Sequence, residues 1–190
     1  MLNTPGQRIL LVVGRTCAGK STMGMYLAQK HGAYFVEASG VVRRLLARRP
    51  EEPPGSPPAE LDYALIAHAI VDLIRGCDQP LVVVSGLRTL CEYRVLTAHA
   101  PQAELVHLTA SRWLRFRRCR ARLRHDAAES PATFRRLDGN PEHTLLPAAA
   151  GLARFVVRNE GSIQDLWAAA DAIVEWAALP AATASSTAGG

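Results

Sequence analysis

Short apolar runs alternate along this chain with longer stretches of helical spacing. Arg8-Ile9-Leu10-Leu11-Val12-Val13 is too brief for a helix and is closed by Gly14, so it predicts a buried strand. Helical spacing follows over 20–29, then a second strand over 33–36 and a short basic helix over 41–49. Residues 61–75 again carry helical spacing, 81–84 read as a strand, 89–99 as a helix and 104–108 as a strand. An arginine-rich helix is expected over 111–124, with Ser111 at its N-cap. Residues 155–157 form a final strand, and Ser162 with Asp165 makes a capping box for a last helix running to about 177. Strands alternating with helices predict an α/β fold, a parallel sheet of five strands covered by helices on both faces in three layers.

The length of 190 residues suits one domain with one sizeable core. Prolines crowd residues 50–58, where the missing amide donors exclude regular structure, and a surface loop is expected there. Residues 181–190 contain only Ala, Thr, Ser and Gly and are expected to be a disordered tail, leaving 1–180 as the domain. No apolar run approaches the roughly 18 residues that cross a bilayer. The N-terminus also lacks the pattern of a signal peptide, so a cytoplasmic protein without a membrane partner is expected. The four cysteines, Cys17, Cys77, Cys91 and Cys119, are scattered and suggest neither a zinc site nor a disulfide framework. The six histidines form no metal or triad pattern.

Charge changes the picture more. Of the net +5, much is concentrated in seven arginines between Arg112 and Arg124, with Arg135 and Arg136 close behind. Such a cluster implies an anionic partner. The chemistry is sharper at Gly14-Arg15-Thr16-Cys17-Ala18-Gly19-Lys20-Ser21, which fits G-x-x-x-x-G-K-[ST] and lies between the first strand and a helix. A chance match in a chain of this composition is about a one-percent event. The glycines let the backbone curl so that the amides of Thr16, Cys17, Ala18, Gly19 and neighbouring residues face phosphate oxygens. Lys20 would neutralise the β- and γ-phosphates of ATP, the Ser21 hydroxyl would ligate Mg²⁺, and Thr22 continues the site into the helix.

The remaining signals carry a resemblance. Ser39-Gly40 leading into Arg43 and Arg44 resembles the acceptor element of adenylate kinases and related nucleotide kinases, in which an arginine holds the acceptor phosphate. Ser85-Gly86-Leu87-Arg88 after the third strand resembles the Asp-Gly-x-x-Arg element of the same kinases. A closer likeness is the Asp-Gly-Ile-Arg of small dephospho-CoA-kinase-like or adenylate-kinase-like proteins. Arg115-Phe116-Arg117-Arg118 resembles the start of their mobile lid, expected here over 111–140, and Arg115, Arg118 and Arg122 share a helical face. Asn159-Glu160-Gly161-Ser162 resembles the turn that lies near the adenine ring in that family. The resemblance implies a P-loop nucleotide-kinase fold, ATP with Mg²⁺, and catalytic roles for Lys20, Arg115, Arg118 and Arg122. It also implies nucleotide contacts from Asn159 and acceptor contacts from Ser39, Arg43, Ser85, Gly86 and Arg88.

Two acids of that pattern are replaced, by Ser85 and by Val41, so the metal needs another carboxylate. Glu37, Asp62 and Glu92 are the candidates, and Glu37 at the end of the second strand is the best placed, as metal partner or as base for a sugar hydroxyl. The expected activity is transfer of the γ-phosphate of ATP to a phosphorylated, nucleotide-like acceptor, by a monomer or homodimer. A kinase of a non-nucleotide alcohol or coenzyme precursor is the alternative. A nucleic-acid-binding NTPase ranks below both, because aromatic residues for base stacking are few.

Overall fold

The computed structural model describes residues 6–47, 62–121, 130–139 and 143–178. The proline-rich 50–58, Arg122 and the tail 181–190 lie outside the described residues. The order is β1 (Arg8–Val13), α1 (Lys20–His31), β2 (Tyr34–Glu37), α2 (Ala38–Leu46), α3 (Tyr63–Arg75), β3 (Leu81–Ser85), α4 (Leu90–His99), β4 (Glu104–Thr109), α5 (Arg112–Arg120), α6 (Pro131–Asp138), α7 (Leu145–Leu152), β5 (Phe155–Arg158) and α8 (Ile163–Ala178). The five strands form one sheet in the order β2-β3-β1-β4-β5, and every pairing is parallel.

Alternation along the strands makes two cores. Ile9, Leu11 and Val13 of β1, with Val82 and Val84 of β3, face a layer that includes Ile66, Ile70 and Ile74 of α3 and Leu96 of α4. Leu10 and Val12, with Leu81 and Val83, face Met23 and Leu27 of α1 and Leu166, Ala170 and Ile173 of α8. Both faces of β1 and β3 are therefore buried, which explains why those strands read as unbroken apolar runs. This is the three-layer α/β sandwich expected from the sequence.

Three local outcomes differ from expectation. Helix α2 starts at Ala38 instead of 41, which puts Ser39 and Gly40 in its first turn. Ser111 occupies the N-cap position of α5, but its hydroxyl makes no capping bond, and its amide instead donates to Glu160 Oε1 at 2.5 Å. Helix α6 lies within the helical lid expected over 111–140, whereas α7 fills a stretch in which the sequence suggested no helix. Pro131 and Pro147 sit in the first turns of these helices, where an amide is unpartnered in any case.

Helices α1 and α8 are clamped at the surface. Asp171 accepts from Lys30 Nζ at 2.7 Å and Tyr26 Oη at 2.8 Å, its other oxygen lies 2.7 Å from His31 Nε2, and Trp167 stacks on Tyr26. The Lys30 hydrogen bond, then that of His31, holds the Asp171 carboxyl down at about 2 from its ordinary 3.8. A depressed carboxyl stabilises the fold above its ordinary pKa and ceases to do so as pH falls through the folded value. Melting curves of the wild type and Asp171→Asn should therefore differ near neutral pH and converge as pH falls from about 4 to about 2.

Candidate active site

The loop between β1 and α1 is shaped by backbone that side chains would obstruct. Gly14 has φ 154° and lies so close to β4 that a Cβ there would sit 2.3 Å from the Leu108 carbonyl oxygen. Gly19 has φ 108°, and its Cβ would meet Asn159 Nδ2 at 2.4 Å. Cys17 is held at φ 61° without being glycine, a local strain of the kind found at ligand-binding turns. Lys20 lies across the loop it closes, its Nζ donating to the Gly14 carbonyl at 2.8 Å and the Arg15 carbonyl at 3.0 Å.

At the mouth of α1, Ser21 Oγ donates to Glu37 Oε1 at 2.5 Å. Glu37 ends β2 and is the N-cap residue of α2, yet its carboxylate makes no cap bond and turns to Ser21. It pairs in register with Ser85 on β3, which in turn pairs with Val12 of β1, so these side chains share the α1 face of the sheet. Ser85 Oγ is buried there without a hydrogen-bond partner among the described residues. The other candidate carboxylates are engaged elsewhere. Asp62 caps α3 by accepting from the Ala64 and Leu65 amides. Buried Glu92 accepts from the Arg88 amide and from the amide and hydroxyl of Thr89 in the α4 capping box. Among the three, Glu37 alone faces the loop serine.

Ser39 is half-exposed in the first turn of α2. The Arg43 guanidinium folds back toward that N-terminus, 3.8 Å from the Cβ position of Gly40. Gly86 donates its amide to the Val12 carbonyl at 3.3 Å, joining the β3 turn to the strand that feeds the loop. Arg88 is half-buried, its backbone fixed by Glu92 on one side and by the Leu145 amide, 3.0 Å from its carbonyl, on the other. Neither Arg43 nor Arg88 has its guanidinium in a hydrogen bond or ion pair among the described residues.

The arginines of α5 divide. Arg118 donates to the Asn159 carbonyl at 3.0 Å and to its Oδ1 at 3.3 Å, while Asn159 Nδ2 donates to the Ala18 carbonyl at 2.8 Å. Burial lowers the Arg118 pKa, with the Glu160 carboxylate acting in the opposite direction. A cavity of about 460 Å³ opens between these groups, lined by Cys17, Gly19, Thr22, Leu114, Arg118 and Asn159 among others. Arg115 departs from the expectation of an arginine open to a phosphate. It is 3% exposed, and Asp138 grips its guanidinium at both ends. It also donates to the Thr16 carbonyl at 3.1 Å and the Ala110 carbonyl at 3.0 Å. Asp138, Arg15 and Phe134 are site neighbours that the sequence reading passed over. The signal available was an isolated acid, Asp138, following Arg135 and Arg136.

A strand, a G-x-x-x-x-G-K-S loop, a helix and a parallel sheet ending around that loop define a P-loop α/β protein of the small-kinase fold. Residues 9–141 match the AAA domain family, and the chain belongs to it. A curated relative, a UPF0200 protein of Methanothermobacter thermautotrophicus, is 24% identical over 159 residues, covering 82% of this chain and 83% of its own. Two solved structures share the fold. A gluconokinase from Sinorhizobium meliloti has TM-score 0.59 and 20% identity over 90% of this chain and 94% of its own. A shikimate kinase from Acinetobacter baumannii, in complex with shikimate, has TM-score 0.63 and 17% identity over 93% and 97%. Among the described residues no helix is long and apolar enough to cross a membrane.

Proposed function

We propose that the protein is a magnesium-dependent kinase that transfers the γ-phosphate of ATP to a hydroxyl of an anionic small molecule. The observation that carries this reading is the Ser21–Glu37 hydrogen bond, which sets a carboxylate beside the hydroxyl of the phosphate loop. The donor set fits a small hard cation: two oxygen ligands, Ser21 and Glu37, beside the buried, unpartnered Ser85 Oγ. Mg²⁺-ATP, when bound, would supply the phosphoryl group and a cation, held by Ser21 and Glu37, to offset its charge. The loop amides, Gly14, Thr16, Cys17, Ala18 and Gly19 included, cradle phosphates, and Lys20 adds the compensating charge. Thr22, Arg118 and Asn159 line the cavity that takes the nucleoside end. Arg118, bonded to Asn159, lines the same cavity beside Cys17 and Gly19, and α5 with α6 makes up the described part of the lid.

Arg43 turns its guanidinium toward the α2 N-terminus, and Arg88 follows the Gly86 turn that abuts Ala38 there; with Ser39 they make up the acceptor site for an anion. A phosphorylated, nucleotide-like acceptor satisfies this chemistry. A carboxylated or phosphorylated alcohol that is not a nucleotide is the second reading, and in either case Glu37 stands as the nearby base from which a hydroxyl acceptor gains. The likeness of fold to a gluconokinase and a shikimate kinase fits the same reading.

The test is acceptor-stimulated ADP release over panels of nucleotides, nucleotide conjugates and sugar acids. Stimulation by one class supports the proposal and selects between the readings; release that no acceptor stimulates defeats it. With the active acceptor, Arg88→Met should raise the acceptor KM about tenfold to a hundredfold and leave the ATP KM within about twofold, the size expected for one charged hydrogen-bonding group.

A further inference from the structure

The α5–α6 segment is joined to the phosphate loop by a compact junction with a charged half and an apolar half. The charged half centres on the Asp138 carboxylate, 3% exposed, at the end of α6. It grips Arg115 of α5 through both oxygens. Arg15 of the loop lies 3.8 Å from the same carboxylate and donates to the Asp138 carbonyl at 2.9 Å. Arg112 of α5 approaches to 4.0 Å. Arg115 then passes the constraint onward by donating to the carbonyl of Thr16, inside the loop. The apolar half consists of Cys17 from the loop, Phe116 and Cys119 from α5, and Phe134 from α6. The two phenyl rings lie 5.6 Å apart, and the Arg115 guanidinium sits 5.5 Å over Phe134.

We infer that Asp138 is a positioning residue for the phosphate loop: through Arg115 and Arg15 it docks α5–α6 on residues 15–17 and so sets the affinity of the loop for nucleotide phosphate. Three guanidiniums gather around one carboxylate, leaving two positive charges in surplus. The side chains of Arg15 and Arg112 remain 51% and 69% exposed, so that surplus lies at the solvent edge of the loop. Without Asp138, buried Arg115 loses its counter-charge and the three cations repel, which removes the tether on Thr16. The docking follows from the contacts alone, while its consequence for nucleotide affinity rests on the kinase proposal.

Two variants and two readouts test this. Asp138→Asn keeps the shape and removes the charge. Amide exchange at residues 15–18 should accelerate at least about tenfold, and the Mg²⁺-ATP dissociation constant should rise about tenfold or more, the cost of a lost charged hydrogen bond. The double variant Arg115→Met/Asp138→Leu replaces the buried pair with apolar groups, which proteins often tolerate without loss of stability. It should melt near the wild type yet remain about tenfold weaker for Mg²⁺-ATP, because Thr16 loses its bond from Arg115 and Arg15 keeps only its bond to the residue 138 backbone carbonyl. Unchanged exchange in Asp138→Asn overturns the inference. So does full recovery of affinity along with stability in the double variant, which would make the pair merely structural. Faster exchange in Asp138→Asn with no Mg²⁺-ATP affinity in the wild type would sink the kinase proposal and leave the docking role standing.

Discussion

Lys20→Met should abolish nearly all phosphoryl transfer, lowering kcat/KM by about 10³-fold while the protein still folds. The lysine donates to the Gly14 and Arg15 carbonyls of its own loop, and it belongs to neither apolar core. Its loss therefore removes charge where charge gathers during transfer without opening a cavity. Circular dichroism and a melting curve close to those of the wild type, together with collapse of acceptor-dependent ADP release, are the expected pair of results. A Lys20→Met protein that retained a tenth of wild-type kcat/KM would show that the loop does not carry the chemistry.

Glu37→Gln should produce the second large effect, a fall of about 10²- to 10⁴-fold in kcat, the span associated with a lost general base or metal-organising carboxylate. Glutamine keeps the length of the side chain and a hydrogen-bond acceptor for Ser21 but carries no charge. In the sheet, β3 separates β2 from β1, so an acid on β2 starts two strand spacings, about 10 Å, from the strand that feeds the loop. The small Ser85 in register leaves room for that reach, and glutamate has one methylene more than aspartate. Glu37→Asp should accordingly recover only part of the rate, because its carboxylate falls short of Ser21. Titration of each variant with Mg²⁺ at fixed ATP separates the two roles: a metal-organising role raises the Mg²⁺ requirement, and a purely basic one leaves it unchanged.

Much of the fold was legible because the local signals were undiluted. The apolar runs of β1 and β3 are buried on both faces, and the Ser162–Asp165 pair makes its reciprocal bonds, Asp165 amide to Ser162 Oγ at 3.2 Å and Ser162 amide to Asp165 Oδ2 at 2.8 Å. The phosphate loop was legible because its glycines answer to backbone geometry and to the close approach of Leu108 and Asn159. Helix α7 was hidden by Pro147 and Gly151, which argue against a helix until the proline is seen to occupy the first turn. The start of α2 was misplaced because Ser39-Gly40 has the composition of a turn, and the register with β3 overrides it. The fate of Arg115 was not readable at all. Spacing gives the face of a helix on which an arginine lies, whereas its engagement by Asp138 joins residues 23 apart through tertiary packing.

Calorimetric titration of ATP, with and without Mg²⁺, reaches the central claim most directly. The account predicts saturable binding that depends on Mg²⁺, weakens at least about tenfold in Lys20→Met and weakens in Glu37→Gln only when Mg²⁺ is present. Absence of binding at millimolar ATP, or binding indifferent to both Mg²⁺ and Lys20, would contradict it.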